Sequence, residues 1–319
     1  GRPRTLVHVL VLQHVHMLDL SGPVQVFYEA NGFGASYDLR FCAPAPRAVS
    51  SQGIVFAELR PLEEPGPEDL VLVPGISSAH LSGFGARTIS WLRRARKAGT
   101  RICSICSGAF VLAEAGILDG LHCTTHWKVA GRLQREHPSA HVMDNRLFVR
   151  DGRVATSAGI AAGIDTALSI VEEDHGPLLT AQVAREMVVY VRRDGSSDQR
   201  SVYLDYRTHL HPGIHKVQDF LVHRIEERPT IGELAQLAGM SPRNLTRVFR
   251  QATGISLKRF SHELKLEIAG TLLRDPTHGL DAVASSCGFS DARQLRRLWR
   301  RKFGMSPSAW RSRQEARPT

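Results

Sequence analysis

The last third of the chain repeats itself, and no other feature limits the fold as tightly. IGELAQLAGMSPRNLTRVFRQATGIS (231–256) matches LDAVASSCGFSDARQLRRLWRRKFGMS (280–306). The spacing is 49 residues from Ala235 to Ala284 and from Gly239 to Gly288, then 50 from Leu245 to Leu295 and from Gly254 to Gly304. One inserted residue in the turn accounts for the change. Each copy reads as a short helix, a turn beginning at glycine, and a second helix introduced by Ser241 or by Ser290-Asp291. That is the helix-turn-helix pattern, whose second helix enters the DNA major groove.

Helical periodicity divides each second helix into faces. Leu245, Val248 and Phe249 form one apolar stripe, as do Leu295, Leu298 and Trp299, and these are the expected core. Arg243 and Arg247 stand four apart on another face, and Arg293 and Arg297 repeat that spacing. Arginine at the leading end of such a helix can make two hydrogen bonds to guanine O6 and N7, worth roughly 1–3 kcal/mol of discrimination. Asn244, Thr246, Gln294 and Arg296 are candidates for further base or phosphate contacts. A lone arginine often only solubilises its helix; two pairs at matching places in a repeat ask for a shared partner. Between the copies, SLKRFSHELKLEIAGTLLRDP (256–276) reads as one long helix ended before Pro276. Two units joined by a helix suit two groove segments about 34 Å apart, one turn of DNA.

Charge follows the same division. From His215 to Thr319 there are 19 Lys+Arg against 10 Asp+Glu, whereas Gly1–Ile214 carries 22 and 21. A basic module beside a near-neutral domain is what a phosphate-binding unit joined to a globular domain would give; a basic solvated face is the alternative. The length of 319 residues leads to an expectation of two domains. No stretch approaches the roughly 18 to 20 apolar residues of a membrane span, and no basic-then-apolar secretion signal is present. A cytoplasmic location with no membrane partner is therefore expected. The cysteines, Cys42, Cys103, Cys106, Cys123 and Cys287, are odd in number and lack zinc-finger spacing, so neither a disulfide framework nor a metal site is expected, and no cofactor is implied. Cys103 and Cys106 form a C-x-x-C. TRICSI reads as a strand, however, where residues three apart point to opposite faces, so the pair is expected to pack rather than to do redox chemistry.

The longer first part alternates apolar runs with helical patterns. LVHVLVL (6–12), YDLRFCA (37–43), DLVLVPG (69–75), TRICSI (100–105) and RVATSAG (153–159) read as strands. ARTISWLRRARKAG (86–99), GAFVLAEAGIL (108–118), WKVAGRLQREH (127–137) and GIDTALSIVEEDHG (163–176) read as helices, as does DLSGPVQVFYEA (19–30), with Ser21 as N-cap and Pro23 in its first turn. The expected fold is an α/β sandwich around a parallel sheet, followed by an all-α domain. In such sheets ligands sit beyond the carboxyl ends of the strands. There RICSI-C-SGAF places Cys106 at a strand-turn-helix elbow, where a helix N-terminus would lower its pKa, and VPGIS supplies Gly75, whose backbone can approach a substrate closely.

These residues carry two resemblances. LDLSGPVQVF, LVLVPG, CSGAFVLAEAGILDG, TTHW and TSAGIAAGID resemble the PfpI-like superfamily, with its class I glutamine-amidotransferase (flavodoxin-like) fold, over about residues 5 to 190. The resemblance implies an elbow cysteine, Cys106, beside an acidic residue, Asp19, with His126 as a polar neighbour. Gly75, Ile76 and Ser107 complete the candidate ligand site. Ser107 stands where protease-like members carry histidine, which argues against proteolysis, and Asp19 is the residue type of hydratase-like members. ASSCGFSDARQLRRLWRRKFGMSPSAWR resembles the signature of the AraC/XylS family, over about 213 to 313. Together the two parts resemble the GlxA/AdpA subfamily of bacterial transcription regulators. The resemblance implies residues 1–195 as a dimerising, ligand-sensing domain, 196–212 as linker and 213–319 as the DNA-binding domain. It implies promoter DNA, a second copy of the chain and a small-molecule effector as partners, with RNA polymerase added for an activator, and no enzymatic turnover. A cysteine-dependent hydratase, deglycase or amidase using Cys106 and Asp19 is the rival expectation.

Overall fold

The apolar runs of the first part become the strands of one sheet in the computed structural model, which describes residues 4–159, 161–189, 195, 202–273, 275 and 277–315. In chain order the strands are β1 (Thr5–Leu10), β2 (Tyr37–Cys42), β3 (Ala48–Val49), β4 (Val55–Phe56), β5 (Leu70–Val73), β6 (Arg101–Ile105), β7 (His122–Cys123), β8 (His141–Val142), β9 (Phe148–Asp151) and β10 (Val154–Ser157). Six of them form a sheet in the order β2-β1-β5-β6-β10-β9, while β3 pairs with β4 and β7 with β8 in two small ladders. The sheet is parallel except at its edge, where β9 runs antiparallel to β10. The expectation of a parallel sheet is corrected there: β9 and β10 are joined by a two-residue turn too short for a crossover.

Helices α1 (Met17–Gly32), α2 (Ala86–Lys97), α3 (Gly108–Glu114), α4 (Trp127–Glu136), α5 (Ala161–His175) and α6 (Pro177–Glu186) complete this unit. Successive strand residues serve opposite faces, as the pleat requires. Leu70 and Leu72 join Val7, Val9, Phe27, Leu168 and Val183 in one core, beneath α1, α5 and α6. Val71 and Val73 join Trp91, Leu92, Phe110 and Leu133 in the other, beneath α2, α3 and α4. Both faces are covered, so β5 is buried along its whole length.

The start of α1 differs from expectation. The helix begins at Met17, with His16 as N-cap and no side-chain cap bond, and Pro23 lies well inside it. Ser21 is not a cap; its Oγ donates back to the Met17 carbonyl at 2.8 Å. The backbone of His16 is anchored instead by donating to the Gly75 carbonyl at 2.8 Å, which fixes the helix entry earlier than the serine would.

The chain divides into two units, Gly1–Gln199 and Arg200–Pro318. The second contains α7 (Val202–Asp205), α8 (Pro212–His223), α9 (Ile231–Leu237), α10 (Pro242–Thr253), α11 (Leu257–Leu272), α12 (Leu280–Ser286), α13 (Ala292–Phe303) and α14 (Pro307–Glu315). It has two cores with one shared wall. Phe260 and Leu264 of α11 pack with Leu234, Leu245 and Phe249, while Leu266 and Ala269 of the same helix pack with Val283, Leu295, Leu298 and Trp299. The stripes expected from the repeat are these cores. α11 ends at Leu272; Pro276 lies outside the described residues.

The stretch expected as linker, 196–212, is structured at its end. Val202 N donates to Glu267 at 2.6 Å and the Tyr206 hydroxyl donates to Glu263 at 3.1 Å, so the α7 segment is docked on α11. RRDGSSDQRS (192–201) lies outside the described residues apart from Gly195.

Candidate functional site

At the carboxyl edge of the sheet, β1, β5 and β6 deliver Asp19, Gly75 and Cys106 to one place. Cys106 leaves its strand in the left-handed region, at φ 55°. Such a conformation is uncommon for a residue with a side chain and persists only where neighbours over-determine it. Three groups do so: Cys106 N donates to the Ser157 carbonyl at 2.9 Å, Thr125 Oγ1 donates to the Cys106 carbonyl at 2.7 Å, and Gly159 stands against the side chain. A Cβ on Gly159, whose φ is 107°, would sit 2.7 Å from Cys106 Sγ. A Cβ on Gly75 would collide with Asp19 Oδ2 and approach Cys106 Cβ to 2.8 Å. Ser107 Oγ donates to the Ile76 carbonyl at 2.6 Å and accepts from Ile76 N at 2.8 Å, locking the β5 turn to the elbow.

The expected residues therefore meet, in a packed arrangement. Cys106 is 6% exposed, Asp19 0%. The expected lowering of the cysteine pKa is reversed: burial first, then the Asp19 carboxylate, push the Cys106 thiol up to about 12. The seven residues of α3 give a short dipole, and it does not offset these two effects. His16, not singled out from the sequence, brings Nδ1 to 3.4 Å from Asp19 Oδ2. Its spacing of three from Asp19 at a helix start was the available signal. His126 caps α4 by accepting from Lys128 N at 3.3 Å, and burial followed by the Lys128 charge lowers its pKa. That nitrogen is committed to the helix.

Strand alternation does not separate Cys103 from Cys106, contrary to expectation. It ends at Ile105, because Cys106 has left the strand; both side chains enter the same core, as free thiols. Among the described residues no group of three or more His, Cys, Asp or Glu is placed to hold a metal ion.

The second site lies on α10 and α13. Gly239 and Gly288 turn the chain at φ 68° and 66°, a conformation that glycine adopts without strain. Ser241 then caps α10 by accepting from Asn244 N, and Asp291, rather than Ser290, caps α13 by accepting from Gln294 N. Arg243, Thr246, Arg247, Arg293, Arg296 and Arg297 are exposed, and Asn244 and Gln294 are half-buried. The two copies hold their polar residues differently. Arg247 donates to Asn244 Oδ1 at 2.7 Å and to Gln251 Oε1 at 2.9 Å, while Gln294 Oε1 accepts from Ser290 N at 2.7 Å. Asn244 and Gln294 thus also organise the protein itself, a double use the sequence pattern did not reveal.

Two adjoining clefts open beside these helices. One, of about 460 Å³, includes Thr246, Lys258, His262 and Gln294 in its lining; the other, of about 680 Å³, adds Arg297 and Arg301. Lys258 and His262 were missed from the sequence, although their spacing of four marks one face of α11.

An α/β sandwich with a cysteine elbow, followed by a duplicated helix-turn-helix, defines the class of helix-turn-helix regulators with a PfpI-type domain. Residues 5–173 match the DJ-1/PfpI family and residues 234–313 match a helix-turn-helix domain. The chain belongs to the DJ-1/PfpI family, among its GlxA-type helix-turn-helix regulators of the AraC/XylS kind. It is 32% identical over 222 residues to the HTH-type transcriptional regulator GlxA of Rhizobium meliloti, covering 70% of this chain and 68% of that protein. To the HTH-type transcriptional regulator GbdR of Pseudomonas aeruginosa it is 30% identical over 220 residues, 69% of this chain but only 59% of that protein. An isonitrile hydratase of Pseudomonas putida is 30% identical over 181 residues, 57% of this chain and 76% of that enzyme. The crystal structure of a ThiJ/PfpI family protein from Pseudomonas syringae shares the fold, with TM-score 0.53 and 24% identity over 60% of this chain and 77% of that chain.

Proposed function

We propose that this chain is a transcription regulator that binds specific sequences in double-stranded promoter DNA, with α10 and α13 as its reading helices. One observation carries the reading: the repeat presents Arg243 and Arg247, and again Arg293 and Arg297, exposed at equivalent places over two separate cores. Arg243 and Arg293 stand in the first turns of their helices, the part of a recognition helix that meets base edges. Thr246 and Arg296 add base or phosphate contacts, and Asn244 and Gln294 do so through their amide NH2 groups, their side-chain oxygens being engaged by Arg247 and by Ser290 N.

The N-terminal domain serves as dimerisation unit, and its elbow, built from Asp19, Gly75, Ile76, Cys106, Ser107 and His126, as the receiving site for a small-molecule effector. RNA polymerase is a further partner where the protein activates. The protein works in the cytoplasm, where its DNA is. The non-enzymatic reading is supported by a thiol pushed up to about 12, because the thiolate is the nucleophile and little of it exists near neutral pH.

The test is binding of the full chain to duplexes selected from a random library, against bulk competitor at physiological salt. The expected result is a selected sequence preferred by about three orders of magnitude or more. Absence of any preferred duplex overturns the reading. Mapping of bound DNA across the genome then gives the regulated promoters. Promoter control unchanged in Cys106→Ala, together with no turnover lost, removes the enzyme alternative.

A further inference from the structure

We propose that α11 is a third DNA-contacting element, whose Lys258 and His262 side chains bind the phosphate backbone lying between the two grooves read by α10 and α13. The inference rests on the DNA-binding reading above and adds a contact to it.

The geometry comes from the clefts. Lys258 and His262 are one helical turn apart on α11 and line the same cleft as Thr246 of α10 and Gln294 of α13. The adjoining cleft brings Arg297 and Arg301 of α13 beside the same two residues. The basic edge of α11 therefore opens on the side that carries the reading residues. Between successive major grooves runs a minor groove walled by two phosphate strands. A protein that lodges one helix in each groove must hold phosphate against whatever surface joins them.

Here that surface is strongly cationic. Lys258 is exposed and His262 half-buried. The acid in the cleft lining, Glu263, is engaged by Arg259 at 2.7 Å and by the Tyr206 hydroxyl at 3.1 Å, so it offsets little of the charge. Lys265 is turned inward and donates to the Gly288 carbonyl at 2.7 Å, which leaves Lys258 as the α11 lysine that faces the clefts, with Lys302 of α13 lining the second of them. Burial, and then the charges of Lys258, Arg301, Lys265 and Arg297, hold the His262 pKa below its ordinary value. A phosphate entering the cleft reverses that balance and favours the imidazolium, so binding is accompanied by proton uptake.

The test measures the affinity of the full chain for a selected operator and for random duplex as salt is varied. For Lys258→Ala the slope of log K against log salt should fall by about 0.9 in magnitude, one phosphate contact, equally on both duplexes. Lys258→Arg should restore it. The wild-type chain should bind more tightly as pH falls through the range around the ordinary histidine pKa of roughly 6.5, and His262→Gln should abolish that dependence. Thermal unfolding of each variant checks that the fold is intact. An unchanged slope for Lys258→Ala, with Arg293→Ala still weakening the operator, overturns the third contact while the DNA-binding reading stands. Loss on the operator alone assigns Lys258 to bases and also overturns it. Failure of the wild-type chain to prefer any duplex would overturn the proposed function itself.

Discussion

The elbow and the reading helices are built on one local plan to opposite ends. In each, a chemistry-bearing residue stands at a tight turn that opens a helix: Cys106 before α3, Arg243 and Arg293 at the heads of α10 and α13. At the elbow the turn is sealed by Gly75, Gly159 and Ser107, and the thiol is shut away beside a carboxylate. On the reading helices the apolar stripe turns inward and the arginines are left exposed. The lesson is that a helix head becomes reactive or recognising through what covers it, and the turn sequence alone does not decide which.

The contrast is sharpest in thiol reactivity. With its thiol pushed up by burial and by the Asp19 carboxylate, Cys106 should be alkylated at neutral pH much more slowly than an ordinary cysteine, before any allowance for access. Mass spectrometry of the iodoacetamide-treated native chain measures this, and rapid labelling at Cys106 would break the comparison. The same shift has a sign for stability. The folded thiol stays protonated while the unfolded one ionises above roughly pH 8.5, so the Cys106 contribution is complete below that pH and is lost towards about 12. Urea midpoints of the N-terminal unit across that range read it out.

Next in size is Gly159→Ala. A methyl group 2.7 Å from Cys106 Sγ, on a backbone at φ 107°, should cost the first unit about 3 kcal/mol, seen as earlier unfolding in urea, with DNA affinity per folded molecule unchanged. Arg293→Ala should weaken the operator by roughly 1–3 kcal/mol and random duplex far less, measured by fluorescence anisotropy; equal loss on both would reduce Arg293 to a phosphate contact. The smallest effect is expected at the caps. Ser241→Ala and Asp291→Ala should each lower the stability of the C-terminal unit by about 1 kcal/mol, read from thermal unfolding.

Much of the C-terminal architecture was legible because repetition tests each assignment twice: Leu245 and Leu295, Phe249 and Trp299 are fully buried at equivalent places. The strands were legible because β5 sits between covered faces and reads as an unbroken apolar run, LVLV, and β6 is buried from Ile102 to Ile105. Features set by contacts distant in sequence were not. The start of α1 depends on the Gly75 carbonyl, and the short α7 on Glu267 and Glu263, which no local pattern near Ser21 or Val202 announces. The elbow residues were recognisable by type and turn, but the direction of the Cys106 shift depends on burial and on a carboxylate 87 positions earlier in the chain.

The inward turn of Lys265 has a mechanical consequence. Its ammonium holds the Gly288 carbonyl at 2.7 Å and reaches the Glu227 carbonyl at 3.4 Å, and Arg228 donates to the carbonyl of Phe289. The strap before the first reading unit is thereby bolted to the hinge of the second, so the pair behaves as a caliper set to one gauge. Inserting half a helical turn of DNA between the two half-sites should defeat binding unless these bolts give way.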